Sequence, residues 1–245
     1  METAHWSKAD LHVHTTYSDG TATVPETLAY VAEHTDLRVI AITDHDCIDG
    51  ALEAARIAHC YGIEVIPGEE ISTRHGHLLA LFVEDFIPPY RPVQETIDLI
   101  HQKGGLAVAA HPFDRLVPSL GSAGPLFKCW QFDALEVFNA GIYWTQRHAN
   151  NKAEVYAQAH QLPMLGNSDS HSLSTIGQGY TRFQGHTAKD VYTAIKTGSV
   201  TWGGQYWHAR QHVGAIWRSI RLRGLFSLIA WASMVARPSA QISRI

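Results

Sequence analysis

Short apolar runs along the chain alternate with stretches whose apolar residues recur at helical spacing, the pattern of β-α units around a mostly parallel sheet. Residues 9–14, 38–43, 64–67, 77–83, 106–110, 134–138 and 163–165 read as strands. Helical spacing covers 25–34, 50–61, 92–103, 147–161 and 187–197. The first of these helices carries Pro25 in its opening turn after Thr23 or Val24, where the missing proline N–H costs nothing. Gly62, Gly104 and Gly198 end three of the others, because glycine takes left-handed backbone without a steric penalty. Residues 116–128, rich in Gly, Ser and Pro, read as a long loop, either a surface excursion or a lid over a site.

Polar residues gather where the apolar runs end: Asp10-Leu11-His12-Val13-His14, Thr43-Asp44-His45, Gly68-Glu69-Glu70, His111-Pro112 and Asp169-Ser170-His171. In a parallel barrel such strand ends converge on one face. Convergence from separate strands points to a shared metal rather than to separately packed histidines. Alternate strand residues share a face, so His12 and His14 aim together while Leu11 and Val13 pack the other way. Mixed imidazole and carboxylate donors suit manganese, zinc or iron better than calcium.

The chain holds 16 histidines in 245 residues. His5, His34, His59, His101, His148, His160, His186, His208 and His212 belong to no such cluster and read as solvent-facing, and His75 stands before its apolar run rather than opening it. Asp10 and Asp44 read as carboxylates that receive the second ring N–H of a ligating imidazole, or else as strand-end caps. Glu136 and Asn139 close another strand and either line the pocket or bond structurally.

A hydrophobic content of 45% over this length is enough for one main domain with a full core. The formal charge of -4 supplies no global basic field for non-specific nucleic-acid binding. Cys47, Cys60 and Cys129 form no CxxC pair, which argues against a disulfide framework or a thiolate zinc site. With no basic-then-apolar leader in the first ten residues, a cytoplasmic location is the expectation.

The motifs Asp-x-His-x-His, Ser-Asp-Gly, Thr-Asp-His, Gly-Glu-Glu, His-Pro and Ser-Asp-x-His, in this order over residues 10–204, resemble the PHP (polymerase and histidinol phosphatase) family of metal-dependent phosphoesterases. The resemblance implies a distorted seven-stranded (β/α) barrel, read as a metallohydrolase domain over 6–204, and the change of composition beyond it marks a C-terminal helical extension over 205–245. The resemblance also implies two or three divalent ions: His12, His14, Glu70 and Asp169 around the first, with Glu70 bridging to a second completed by His77 and His111. Asp19, His45 and His171 would hold a third. Glu69 is the alternative to Glu70.

A metal-bridging hydroxide attacking a phosphomonoester, or a nucleotide or oligonucleotide phosphate, is the expected chemistry, with nucleic acid one of the substrates allowed. Asp169, His171 and Arg74 are candidates for other catalytic roles, Arg74 as a bidentate phosphate clamp. The rivals are an amide or carbamate hydrolase on the same metals and a non-catalytic metal-binding module. Beyond residue 204 the composition turns to tryptophan, arginine and an apolar stretch, read as a helix docked on its own domain, with membrane-surface contact through 216–236 the lesser reading.

Overall fold

The computed structural model describes residues 5–214. Its strands are β1 (Trp6–Val13), β2 (Leu37–Ile42), β3 (Glu64–Ser72), β4 (His77–Leu81), β5 (Leu106–Ala109), β6 (Ala134–Asn139), β7 (Met164–Asn167), β8 (Gly179–Gln184) and β9 (Thr201–Gly204). They form one sheet in the order β7-β6-β5-β4-β3-β2-β1-β8-β9. The two ends of that order approach each other, Gly166 N donating to Thr181 Oγ1 at 3.1 Å, so the sheet curls into an α/β barrel.

The barrel sheet therefore has nine strands and not the expected seven. β1 to β7 correspond to the seven apolar runs, and β8 and β9 are additional. Neither carries the alternation of large apolar residues that marks a strand. In β8 the buried positions are Gly179, Thr181 and Phe183, and β9 is Thr-Trp-Gly-Gly. Pairing with β1, not side-chain pattern, makes β8 a strand.

Nor is the sheet mostly parallel. β1–β2, β2–β3, β5–β6 and β6–β7 pair in parallel, whereas β3–β4, β4–β5, β1–β8 and β8–β9 are antiparallel. The link between β3 and β4 is a tight turn closed by Thr73 N donating to the Gly76 carbonyl, and such a turn leaves no length for a crossover helix. Hence β1, β2, β3, β5, β6 and β7 run one way and β4 runs against them, bringing the N-terminal end of β4 beside the C-terminal ends of the others. β3 also extends past the expected residue 67, because Gly68, Glu69 and Glu70 stay paired with Leu81, Ala80 and Leu79.

The helices are α1 (Val24–His34), α2 (Asp49–Ile57), α3 (Val93–Gln102), α4 (His148–His160) and α5 (Ala188–Lys196). Thr23 caps α1 and Thr187 caps α5, each in a reciprocal capping box, with Glu26 and Asp190 respectively. Alternation along β2 feeds two cores. Ile40 and Ile42 pack with residues of α1 to α4, and Val39 and Ala41 pack with Leu79, Leu81, Phe183 and the buried face of α5. Residues 116–128 are neither an open excursion nor a free lid: Leu120 and Phe127 are buried and the segment winds into 3-10 turns over Leu120–Cys129. The extension read over 205–245, including 216–236, lies outside the described residues from position 215 onward. Among the described residues no helix is long and apolar enough to cross a membrane.

Candidate metal centre

His12 sits in β1 and His14 directly after it, His45 follows β2, Glu70 lies in β3, His77 opens the reversed β4, His111 follows β5, and Asp169 and His171 follow β7. All therefore arrive at one end of the barrel. Asp19 reaches them from the loop after β1. That loop is tight: a Cβ on Gly20 would lie 2.5 Å from the His14 carbonyl oxygen, and Gly20 N donates to the Thr15 carbonyl.

Glu70 is fully enclosed, and its two oxygens divide the imidazoles between them. Oε2 lies 3.1 Å from His12 Nε2, 3.3 Å from His14 Nε2 and 3.2 Å from His45 Nδ1. Oε1 lies 2.8 Å from His77 Nδ1 and 3.1 Å from His111 Nε2. Asp169 Oδ1 approaches His12 Nε2 at 3.4 Å and His14 Nε2 at 3.3 Å, and Asp19 Oδ1 lies 3.1 Å from His171 Nε2. The donor atoms gather into sets of His12, His14 and Glu70; His12, His111 and Asp169; His45, Glu70 and His77; and His14, Asp19, His45 and His171. All nine residues read as ligands are thus brought together, though in sets that share His12, His14 and His45 more widely than the expected partition.

These residues fit divalent cations. Among the described residues both ring nitrogens of His14, Asp19 Oδ1 and His77 Nδ1 are buried without a hydrogen-bond partner, although carboxylate oxygens stand close to the imidazoles and the His171 ring close to Asp19. Lone pairs that converge without bonding one another are the arrangement a cation completes, and buried polar atoms are otherwise paired.

The second ring nitrogens are oriented from behind. His12 Nδ1 is 3.0 Å from Glu136 Oε1, His111 Nδ1 is 3.3 Å from Ser119 Oγ, and His171 Nδ1 is 2.9 Å from the Asp169 carbonyl oxygen. A proton on each of these nitrogens leaves Nε2 with its lone pair toward the ligand set. Glu136 also accepts from Asn167 Nδ2, His111 N and Asn139 Nδ2, and Asn139 Nδ2 donates on to Asp169 Oδ2. Asn150 of α4 clasps the backbone of Asn139 in both directions.

Charge is concentrated here. Burial opposes the His12 cation, but Asp169, Glu70 and Glu136 hold its pKa well above the ordinary value. Burial likewise opposes protonation of His14 and His111, yet Asp169 and Glu70 raise the first to about 10, and Glu70, Asp169 and Glu136 raise the second to about 9. Burial pushes His45 down to about 3, against the pull of Glu70 and with His14 adding to the fall. Burial raises Glu70, Asp169 and Asp19, and the surrounding imidazoles overcome it and hold all three below the usual carboxylate range. The site thus stabilises positive charge among its carboxylates.

Several expectations are corrected. Asp10 and Asp44 do not receive ring N–H groups. Asp10 accepts from Ser168 N and Gly177 N, gripping the loop that bears Asp169 and His171. Asp44 accepts from Thr15 N, Thr15 Oγ1 and Ser18 Oγ, shaping the loop that bears Asp19. Glu69 cannot exchange with Glu70: strand alternation turns it away, to accept from Ile87 N at 2.8 Å. Arg74 is exposed and its Nε donates to the Tyr90 carbonyl, outside the ligand sets. His212 is buried rather than solvent-facing, stacked on Tyr143 and packed near Trp207. Ser119, Asn150 and Asn167 were not anticipated. Asn167 was detectable as a polar residue closing an apolar run, whereas nothing in its Gly-, Ser- and Pro-rich segment singles out Ser119.

A family model described as PHP-associated matches residues 147–200. The chain is 37% identical to the uncharacterized protein MJ1587 of Methanocaldococcus jannaschii over 143 residues, which are 54% of this chain and 82% of that relative. It is 34% identical to a 5'-3' exoribonuclease of Haemophilus influenzae over 194 residues, 78% of this chain and 64% of the relative. Among solved structures it is similar to a two-domain protein from Bacteroides vulgatus containing a predicted PHP-like metal-dependent phosphoesterase. That match has a TM-score of 0.66 and 18% identity, covers 84% of this chain and 66% of the other, and concerns the fold alone.

Proposed function

Because the chain belongs to the PHP-like family of metal-dependent phosphoesterases, we propose that it hydrolyses a terminal phosphate ester of a nucleotide or short oligonucleotide at the centre built around Glu70. The observation that carries this is the Glu70 carboxylate, one oxygen among His12, His14 and His45 and the other between His77 and His111. We assign His12, His14, Glu70 and Asp169 to one ion and Glu70, His77 and His111 to a second. Asp19, His45 and His171 form a third position, which His14 also borders.

Divalent ions supply Lewis-acid polarisation of phosphoryl oxygens and an activated water at neutral pH. The protein's part is to hold the donors still. Glu136 fixes the His12 tautomer, Ser119 orients His111, and Asn139 restrains Asp169 so that Oδ1 stays with the imidazoles. His171, with Nδ1 turned to the Asp169 carbonyl, presents Nε2 as a donor atom toward Asp19 rather than as a general acid. Manganese, zinc and iron all suit these donors. The nucleotide assignment draws support from the exoribonuclease relative, of whose length the chain spans 64%.

The test is phosphate release from nucleoside monophosphates, 5'-phosphorylated oligonucleotides and p-nitrophenyl phosphate, with each metal restored after chelation and a His12→Ala control. Metal-dependent release that the control abolishes is expected. A metal-loaded wild type that releases nothing from any of these compounds would overturn the reading.

A further inference from the structure

We propose that the barrel face beside the metal centre docks on an anionic lipid surface, held there by its own rim and by the chain that follows it. Three segments build this rim: residues 140–147 after β6, 170–178 between β7 and β8, and 205–214 after β9. Side-chain contacts join them into one surface. Tyr143 stacks on His212 with ring centroids 4.7 Å apart, the Arg147 guanidinium lies 4.0 Å over the Tyr206 ring, and Gln211 Nε2 donates to the Ser174 carbonyl at 3.0 Å.

None of the three segments holds Asp or Glu, although the chain has 23 of them. Arg147 and Arg210 are exposed here. The residue after each member of the Tyr143–His212 stack is an exposed apolar side chain, Trp144 at 64% and Val213 at 51%. An exposed indole among guanidinium groups is the composition of an anchor at headgroup level. The rim also borders the ligand set, since His171 and Gly214 both line a cavity of about 500 Å³ between the loop after β7 and the segment after β9.

The sequence beyond Gly214 continues this composition. It holds five arginines and no Asp, Glu or Lys, so the formal charge of -4 divides into -9 before residue 215 and +5 from there on. Between Arg223 and Arg237 stand 13 consecutive uncharged residues, Trp231 among them. That run is short of the roughly 20 apolar residues needed to cross a bilayer. Arginines drawn to anionic headgroups, with tryptophan and apolar side chains entering the headgroup–acyl boundary, suit a surface contact instead. A nucleic acid would engage the arginines but would give the uncharged run, Trp144 and Val213 no apolar phase to enter. The inference holds whichever ester the centre cleaves.

The experiment is cosedimentation of the full chain with vesicles of phosphatidylcholine alone or of an equimolar mixture with phosphatidylglycerol, needing neither metal nor substrate. Wild type is compared with Trp144→Ala and with a triple variant, Arg218→Gln, Arg221→Gln and Arg223→Gln, all checked for folding by circular dichroism. Partitioning is expected to favour the anionic vesicles and to weaken as salt is raised. It should fall roughly 100-fold in the triple variant, about fivefold for each arginine. Trp144→Ala should lower it roughly 3- to 10-fold, the effect of keeping one large apolar side chain from partial burial. Binding that is absent, or equal on both kinds of vesicle, overturns the proposal. So does anionic-vesicle binding that Trp144→Ala leaves intact, because the barrel face would then take no part. Arginine-dependent capture of a single-stranded oligonucleotide with none of the vesicles would overturn it in favour of nucleic acid.

Discussion

At Glu70 five imidazole nitrogens lie between 2.8 and 3.3 Å from two carboxylate oxygens, so a glutamine there would put an amide NH₂ where a lone pair is needed. Glu70→Gln is expected to lower the number of ions retained per chain, read by elemental analysis, and to cut phosphate release by at least about 100-fold. Glu136 touches no ion in the proposed centre, yet it faces His12 Nδ1 and accepts the His111 backbone N–H. Its replacement by glutamine is expected to weaken metal affinity by roughly 10- to 100-fold while the ion count recovers at high metal concentration. Full retention of affinity in Glu136→Gln would show that the tautomer of His12 is set some other way. Asp169 and His111 both adopt positive φ, 53° and 28°, tolerated because Asp10 and Glu136 anchor the backbone around them.

Elements deliver these residues by direction. The short turn between β3 and β4 reverses β4 and presents His77, its first residue, at the end where the parallel strands present their last. α5 closes the second core and depends on its cap. Removing the Thr187 side chain is expected to cost about 0.5–2 kcal/mol in denaturant unfolding at neutral pH. Asp190, the reciprocal partner, has its pKa lowered by the His186 and Thr187 backbone N–H groups and the Thr187 hydroxyl. Because the folded value lies below the unfolded one, the stabilisation is present above the ordinary aspartate pKa of about 3.9 and disappears as pH falls through the folded value. The destabilisation by Asp190→Asn should accordingly shrink as unfolding is repeated at progressively lower pH below about 5. A cost that stays constant with pH would rule out the carboxylate as its source. The elements most legible in the sequence were those with strong periodicity, β1 to β7 and all five helices. β8 and β9 escaped because a strand held by backbone pairing to neighbours distant in sequence needs no apolar signature of its own.

For the molecule as a whole, the centre is a place where binding and folding share free energy. Carboxylates and imidazoles at the ends of six strands and in the loop after β1 are held together against their desolvation, and an ion that binds only this arrangement stabilises it. Metal at about 100 times its Kd is expected to add roughly 2.7 kcal/mol. For a domain of this size that raises Tm by roughly 5–11 °C, and chelation reverses it. Scanning calorimetry with and without chelator checks the figure, and an unchanged Tm would mean that the nine residues do not bind metal.

The sequence by itself determined the α/β class, the seven apolar runs and the nine histidines and carboxylates that the fold gathers at one end of the barrel, because local periodicity and the chemistry of histidine and carboxylate are properties of neighbours in the chain. The tertiary structure alone decided four things. It set the nine-strand count, the reversal of β4, the turning of Asp10 and Asp44 toward adjacent loops rather than ring nitrogens, and the cavity joining the segment after β9 to the loop after β7. Apart from the reversal of β4, which a four-residue turn imposes, each of these depends on pairings between residues far apart in sequence. Their energy comes from backbone register and burial, which no local pattern of side chains records.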